Sequence, residues 1–184
     1  MIKELSPPAV LNTNRTVLRK YVPEDVHIIL HMLKRNNLRL KDHFPITVSM
    51  VISEDAALDF IFLRSTEWEQ DISFTYGIFD KISNEYIGQV TIKKIEWDKK
   101  EAELGYFLDE TQEGKGLMSE VLSEIEYQCI KLGFKNLFLR ILPGNNKSIK
   151  LAESFGYKNI RTLKENIQNT EGGMSDIWLY MKEL

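Results

Sequence analysis

The spacing of apolar residues changes along the chain, and with it the elements it predicts. In RTVLRKY, Arg15 to Tyr21, Val17 and other apolar positions are broken by basic ones, which predicts a first strand after a short arm closed by Pro7–Pro8. PEDVHIILHML predicts a helix, because Pro23 suits a first helical turn and Glu24 and Asp25 favour its positive end. NNLRLKDHFPIT reads as a polar connection carrying Phe44–Pro45. A second helix is expected to start at the capping residue Ser53 and run through EDAALDFIFLRSTEW.

Period two then takes over. ISFTYGIFD, EYIGQVTIKKIEW and EAELGYFLD are separated by the polar turns KISN and DKK, the pattern of an antiparallel meander. A glycine-bearing loop follows, then a helix to about Leu132. Leu117, Val121, Leu122, Ile125, Cys129 and Leu132 fall near one face of it, and Gly133 ends it. NLFLRIL predicts a buried strand, NNKSIKLAESFG a short helix stopped by Gly156, and DIWLYMKEL a last strand. The fold class is therefore mixed α/β (α+β): a meander first, then helices crossing between later strands.

Composition narrows the function classes. The 184 residues are 43% hydrophobic and 28% charged, which fits one soluble domain over residues 1–184 with a real core. A net charge of −3 argues against nucleic-acid binding driven by bulk positive charge. The single cysteine, Cys129, excludes an internal disulfide and a cysteine-rich metal site, and its place among helix core positions makes it a packing residue. His27 and His31 stand four apart, but no further ligand joins them, so no metal is expected. No apolar run approaches the ~20 residues of a membrane span. Met1 to Glu4 lack the apolar core of a signal peptide, so the expected location is the cytoplasm.

The chemistry-bearing stretch is DETQEGKGLMSEVL, Asp109 to Leu122. Gly114 and Gly116 lie where a helix begins, so free amides and the helix dipole meet whatever sits there, with Lys115 adding a cation. The P-loop pattern is absent, and Ser119 stands where a dinucleotide fingerprint needs its last glycine.

With its surroundings, from Glu101 to Lys158, this stretch resembles the acyl-CoA-binding core of the GNAT superfamily of N-acetyltransferases. More narrowly it resembles the RimJ/RimL-like, ribosomal-protein N-terminal acetyltransferase branch, whose first strand and substrate-side helices LRKYVPEDV and NNLRLKDHFP are similar to. The resemblance implies a mostly antiparallel mixed sheet of about seven strands flanked by helices. Its strands Glu103–Leu108 and Leu137–Ile141 would splay apart around the pantetheine arm of acetyl-CoA. Leu104, Gly105, Tyr106, Phe107 and Leu108 would contact that arm, and Glu113, Gly114, Lys115, Gly116, Leu117 and Met118 would form the pyrophosphate loop, seated on the amides of Gly114 to Met118. Asn145 and Ser148 match the family's N-x-x-S motif near the sulfur. The sequence departs at Glu113, where the family usually has Gln or Arg; a carboxylate beside a pyrophosphate is unfavourable unless its side chain turns to solvent.

Amide formation from a thioester needs an amine that loses its proton, a donor for the oxyanion and an acid for the thiolate. The resemblance implies direct attack by the amine in a ternary complex. Glu103 is then either the base, acting through water, or a carboxylate that binds the substrate ammonium or faces solvent, and Ser148 is either the hydrogen-bond donor to sulfur or a helix-start residue that satisfies backbone groups. A backbone N–H near Leu104 or Gly105 would hold the oxyanion. His43 and Phe44 of KDHFP would line the acceptor side, where the imidazole either takes a proton near neutral pH or is an ordinary surface histidine. Tyr76, Trp68 and Trp97 would wall the pocket or fill the core, and IKKIEWDKKE reads as a solvated hairpin. The acceptor is a protein N-terminal α-amine or a small-molecule amine such as a polyamine or aminoglycoside. A non-catalytic acyl-CoA sensor is the other class. No nucleic-acid or membrane partner is expected, and the family implies a homodimer.

Overall fold

The computed structural model describes residues 6–168 and 173–184; Met1 to Glu4 lie outside the described residues. Strands β1 (Val10–Asn12), β2 (Thr16–Arg19), β3 (Phe74–Asp80), β4 (Tyr86–Glu96), β5 (Glu101–Leu108), β6 (Asn136–Ile141), β7 (Lys158–Gln168) and β8 (Met174–Glu183) form one eight-stranded sheet. Its order is β1-β2-β3-β4-β5-β6-β8-β7, antiparallel except for the parallel pair β5–β6.

Helices cover both faces, which is why β3 and the first seven residues of β4 are buried almost without alternation. On one face Tyr76, Val90, Ile92, Leu104 and Leu108 pack against α5 (Leu117–Lys131) through Val121, Leu122, Ile125 and Cys129. On the other, Phe79 and Phe107 pack with Tyr21 against α1 (Val26–Arg35) and α4 (Glu54–Glu69) through Ile29, Leu33, Phe60 and Ile61. Ser53 caps α4 as its position predicts, its side chain accepting the Ala56 amide at 3.2 Å. α5 stops at Gly133, whose φ of +86° suits glycine.

Two segments differ from the sequence expectation. NNLRLKDHFPIT is not an irregular connection: it holds α2 (Asn37–Leu40) and opens α3 (Pro45–Met50). Leu40 and Val48 give these short helices an apolar anchor in the cluster beneath them, which their polar neighbours conceal. The sheet has eight strands rather than about seven because both edges are extended. β1 carries only one buried residue, Leu11, and β7 is exposed over most of its length, so neither shows the apolar alternation of a covered strand.

Candidate active site

β5 and β6 pair in parallel from Glu101↔Asn136 to Leu104↔Leu139 and no further. Beyond Leu104, β5 continues to Leu108 on its β4 side alone, so Gly105 to Leu108 present an edge with no partner strand toward β6. A cavity of about 390 Å³ opens at this splay. It brings together eight residues marked from the sequence: Glu103, Leu104, Gly105, Tyr106, Asn145, Ser148, His43 and Phe44. Phe107 and Leu108 instead turn their side chains into the two cores, so only their backbone faces the site.

The loop after β5 ends on α5, with Gly116 as its N-cap at φ +76° and Gly114 at φ +73°. A Cβ at Gly114 would meet nothing, so the demand there is the left-handed backbone itself. Leu117 and Met118 are buried, leaving their amides as their contribution to the loop. Lys115 is exposed and donates to Gln112 Oε1 at 3.0 Å.

Glu113 does not turn to solvent. Its carboxylate takes Arg39 Nη1 at 2.7 Å from α2 and Lys147 Nζ from α6 (Asn146–Ser154), and its side chain is 19% exposed. The negative charge at the loop's first position is thereby compensated by two cations, one on each side of the splay. Arg39 also donates to the Leu108 carbonyl, tying α2 to the end of β5. One residue on, buried Asp109 caps the turn Glu110–Gln112 and accepts from Arg35 and Asn36 at the end of α1. Burial works against its charge, but hydrogen bonds from the Thr111 hydroxyl and amide, Asn36 and Arg35 outweigh it and hold its pKa at about 2.

At the other end of the cavity Glu103 is 6% exposed and touches three cations. Lys93 Nζ lies 3.3 Å from Oε1, while Lys94 Nζ and Arg140 Nε each lie 2.9 Å from Oε2. His43, across the same cavity, has its pKa lowered from 6.5 by burial, with Asp42 pushing it up and Arg39 down again. The Tyr106 hydroxyl is buried without a well-formed hydrogen bond; burial pushes its pKa up, and the Ser148 hydroxyl beside it pulls the other way. Asn145 caps α6, its Oδ1 accepting the Ser148 amide at 3.2 Å.

Tyr76 is not part of the site. It pairs with Val90 and shares that residue's face, buried beneath α5 with its hydroxyl donated to the Pro8 carbonyl at 2.8 Å. Strand parity puts it opposite the acceptor side. Trp68 packs edge-on against Phe74 and Tyr76, and Trp97 stacks on Phe134, so both serve the core. Cys129 is buried, and its thiol pKa is raised by that burial.

Residues 15–158 match the family model of the GNAT acetyltransferase domain. The chain belongs to the GNAT acetyltransferases. It is 25% identical over 171 residues to the uncharacterized N-acetyltransferase p20 of Bacillus licheniformis, covering 92% of this chain and 93% of that protein. Its fold is similar to that of RimL, the ribosomal L7/L12 α-N-protein acetyltransferase, solved with coenzyme A. The TM-score is 0.86 at 20% identity, over 95% of this chain and 98% of that one. The microcin C7 self-immunity acetyltransferase MccE, solved with acetyl-CoA and AMP, aligns equally well: TM-score 0.86, 17% identity, 97% and 98% covered.

In this GNAT acetyltransferase, sequence reasoning missed Arg39, Lys147, Lys93, Lys94 and Arg140. Arg39 and Lys147 lie 74 and 34 positions from the glutamate they contact, so no local pattern signals them. The Lys93–Lys94 doublet did carry a signal, because adjacent residues in a regular strand face opposite sides. The alternating charge of IKKIEWDKKE near a turn conceals it, because that pattern reads as a solvated hairpin. Among the described residues no group of three or more His, Cys, Asp or Glu could hold a metal ion, and no helix is long and apolar enough to cross a membrane.

Proposed function

We propose that this acetyltransferase uses acetyl-CoA to acetylate protein N-terminal α-amines. The observation that carries the reading is the unpaired edge Gly105–Leu108, which ends at a glycine-lined helix start and opens into the cavity holding His43, Tyr106 and Ser148. Free strand amides and carbonyls suit the amides of a pantetheine arm, and the amides of Gly114 to Met118 suit its pyrophosphate. Arg39 and Lys147, already at the loop, offset the charge of Glu113 and remove the main argument for a site too poor to bind the cofactor. The RimL likeness supports a protein N-terminus as acceptor.

In the reaction the neutral acceptor nitrogen forms a bond to the thioester carbonyl carbon and gives up one proton, and the C–S bond breaks to release coenzyme A as its thiolate. A backbone N–H near Leu104 or Gly105 faces the developing oxyanion. The Ser148 hydroxyl donates to the departing sulfur, with Tyr106 beside it. Three cations around Glu103 disfavour a further positive charge, which helps hold the acceptor as a neutral amine. His43, neutral at pH 7, accepts the proton directly or through one water, and Glu103 orients the cations.

The test is free-thiol release from acetyl-CoA with a panel of peptides bearing native protein N-termini, spermidine and an aminoglycoside. Peptides should be turned over and their N-terminally blocked forms should not. Release with the small amines alone would replace the acceptor, and tight CoA binding without release would make the protein a sensor.

A further inference from the structure

Glu103 stands at the centre of a cluster larger than its own charge requires. The pairing of β4 with β5 runs from Lys93↔Glu103 to Glu96↔Glu101, three steps on β4 against two on β5. This is a β-bulge, and Lys94 within it has φ +48°, a left-handed backbone that lysine rarely adopts. The bulge brings two consecutive lysines to one carboxylate, where an unbroken strand would send the second to the opposite face. Arg140 arrives from β6.

The three cations have side chains 39%, 52% and 36% exposed, whereas Glu103 beneath them is 7% exposed. Glu103 is the only carboxylate among the described residues lining the cavity, and Lys93 and Lys94 share it, two ammonium groups on one carboxylate. Glu103 engages each lysine ammonium through one of its three N–H donors. Gly105 makes room for this arrangement: a Cβ there would lie 3.2 Å from Lys93 Nζ. The ammonium of Lys93 thus reaches over the strand to lie beside Gly105 at the splay.

We propose that Lys93 and Lys94 form an anion-recognition subsite for the acceptor, and that the acceptor peptide carries an acidic side chain within its first few residues. The proposal rests on the reading of the site as a protein N-terminal acetyltransferase. Because Lys93 Nζ lies beside Gly105, a carboxylate one or two residues from the reacting amine comes within its reach. It meets charge-assisted donors in a half-buried wall, where such bonds are strong. The same excess charge repels polyamines and aminoglycosides, so it selects against a competing class as well as for its own.

The experiment compares three peptides, identical except for glutamate, glutamine or lysine at their second and third positions, in the acetyl-CoA assay with the whole protein. In low salt kcat/KM for the glutamate peptide should exceed that for the glutamine peptide by about tenfold or more, with the lysine peptide lowest, and salt should compress the range. Lys93→Gln combined with Lys94→Gln should bring the glutamate-to-glutamine ratio to within about twofold, chiefly by raising KM for the glutamate peptide. Equal kcat/KM across the three peptides in the unaltered protein, or a preference for lysine, would overturn the subsite while leaving N-terminal acetylation standing. Turnover of phosphoethanolamine with none of the peptides would overturn the peptide assignment, and turnover of spermidine alone would overturn both.

Discussion

Position 43 shows how little of a side chain's chemistry is local. KDHFP marks an imidazole in the right neighbourhood, but its pKa falls below 6.5 because the fold buries it, with Asp42 and Arg39 acting on it in opposite directions. Glu103 was the carboxylate that the motif pointed to, yet its two oxygens are engaged by Lys93, Lys94 and Arg140 from β4 and β6. We therefore expect His43→Gln to lower kcat/KM by roughly 10²-fold and to abolish its acidic limb. The sign follows from the lowered pKa: the neutral, proton-accepting form dominates above the folded-state value and is lost as pH falls through it. The measurement is a pH–rate profile of both proteins. An acidic limb that survives the substitution unchanged would remove His43 as the proton acceptor.

Helix starts and glycine stops are the most legible elements, because their causes lie within a few residues. Ser53, Gly116 and Gly133 are each explained by a cap or a positive φ. Edge strands and short helices are less so, since β7 is exposed over most of its length and α2 buries only Leu40. Least legible are the ties between elements. Asp109 closes β5, caps the turn that leads into the glycine loop, and binds Arg35 and Asn36 at the end of α1. With its pKa moved from 3.8 to about 2, it contributes about 2 kcal/mol near neutrality. That stability is fully present above pH 3.8 and is lost as pH falls toward about 2. Asp109→Asn should accordingly lower Tm at pH 7 by roughly 4–8 °C, given a shift of about 2–4 °C per kcal/mol for a chain of this size. The gap in urea midpoint between the two proteins should narrow in buffers below pH 3.8. A gap independent of pH would mean that packing, not charge, holds the loop.

At the scale of the molecule, the sheet is two antiparallel halves, β1–β5 and β6–β8, joined along one parallel seam of four paired positions. Formal charge, −3 for the whole chain, conveys nothing of the positive wall at that seam, because the cations gather there only after folding. The seam's short length has a thermodynamic consequence. A ligand that bonds to the free edge of β5 while resting on the start of α5 supplies contacts the protein alone lacks. Coenzyme A at about 100 times its Kd should stabilise the native state by about 2.7 kcal/mol. For a chain of this size that corresponds to a Tm rise of roughly 5–11 °C. If the ligand lies where proposed, hydrogen-exchange protection will increase most at the amides of Gly105 to Leu108 that face the splay and at Gly114 to Met118. The edge strands β1 and β7 should exchange as before. A Tm that rises while those two segments keep their unliganded exchange rates would place the cofactor elsewhere and sink the assignment of the splay.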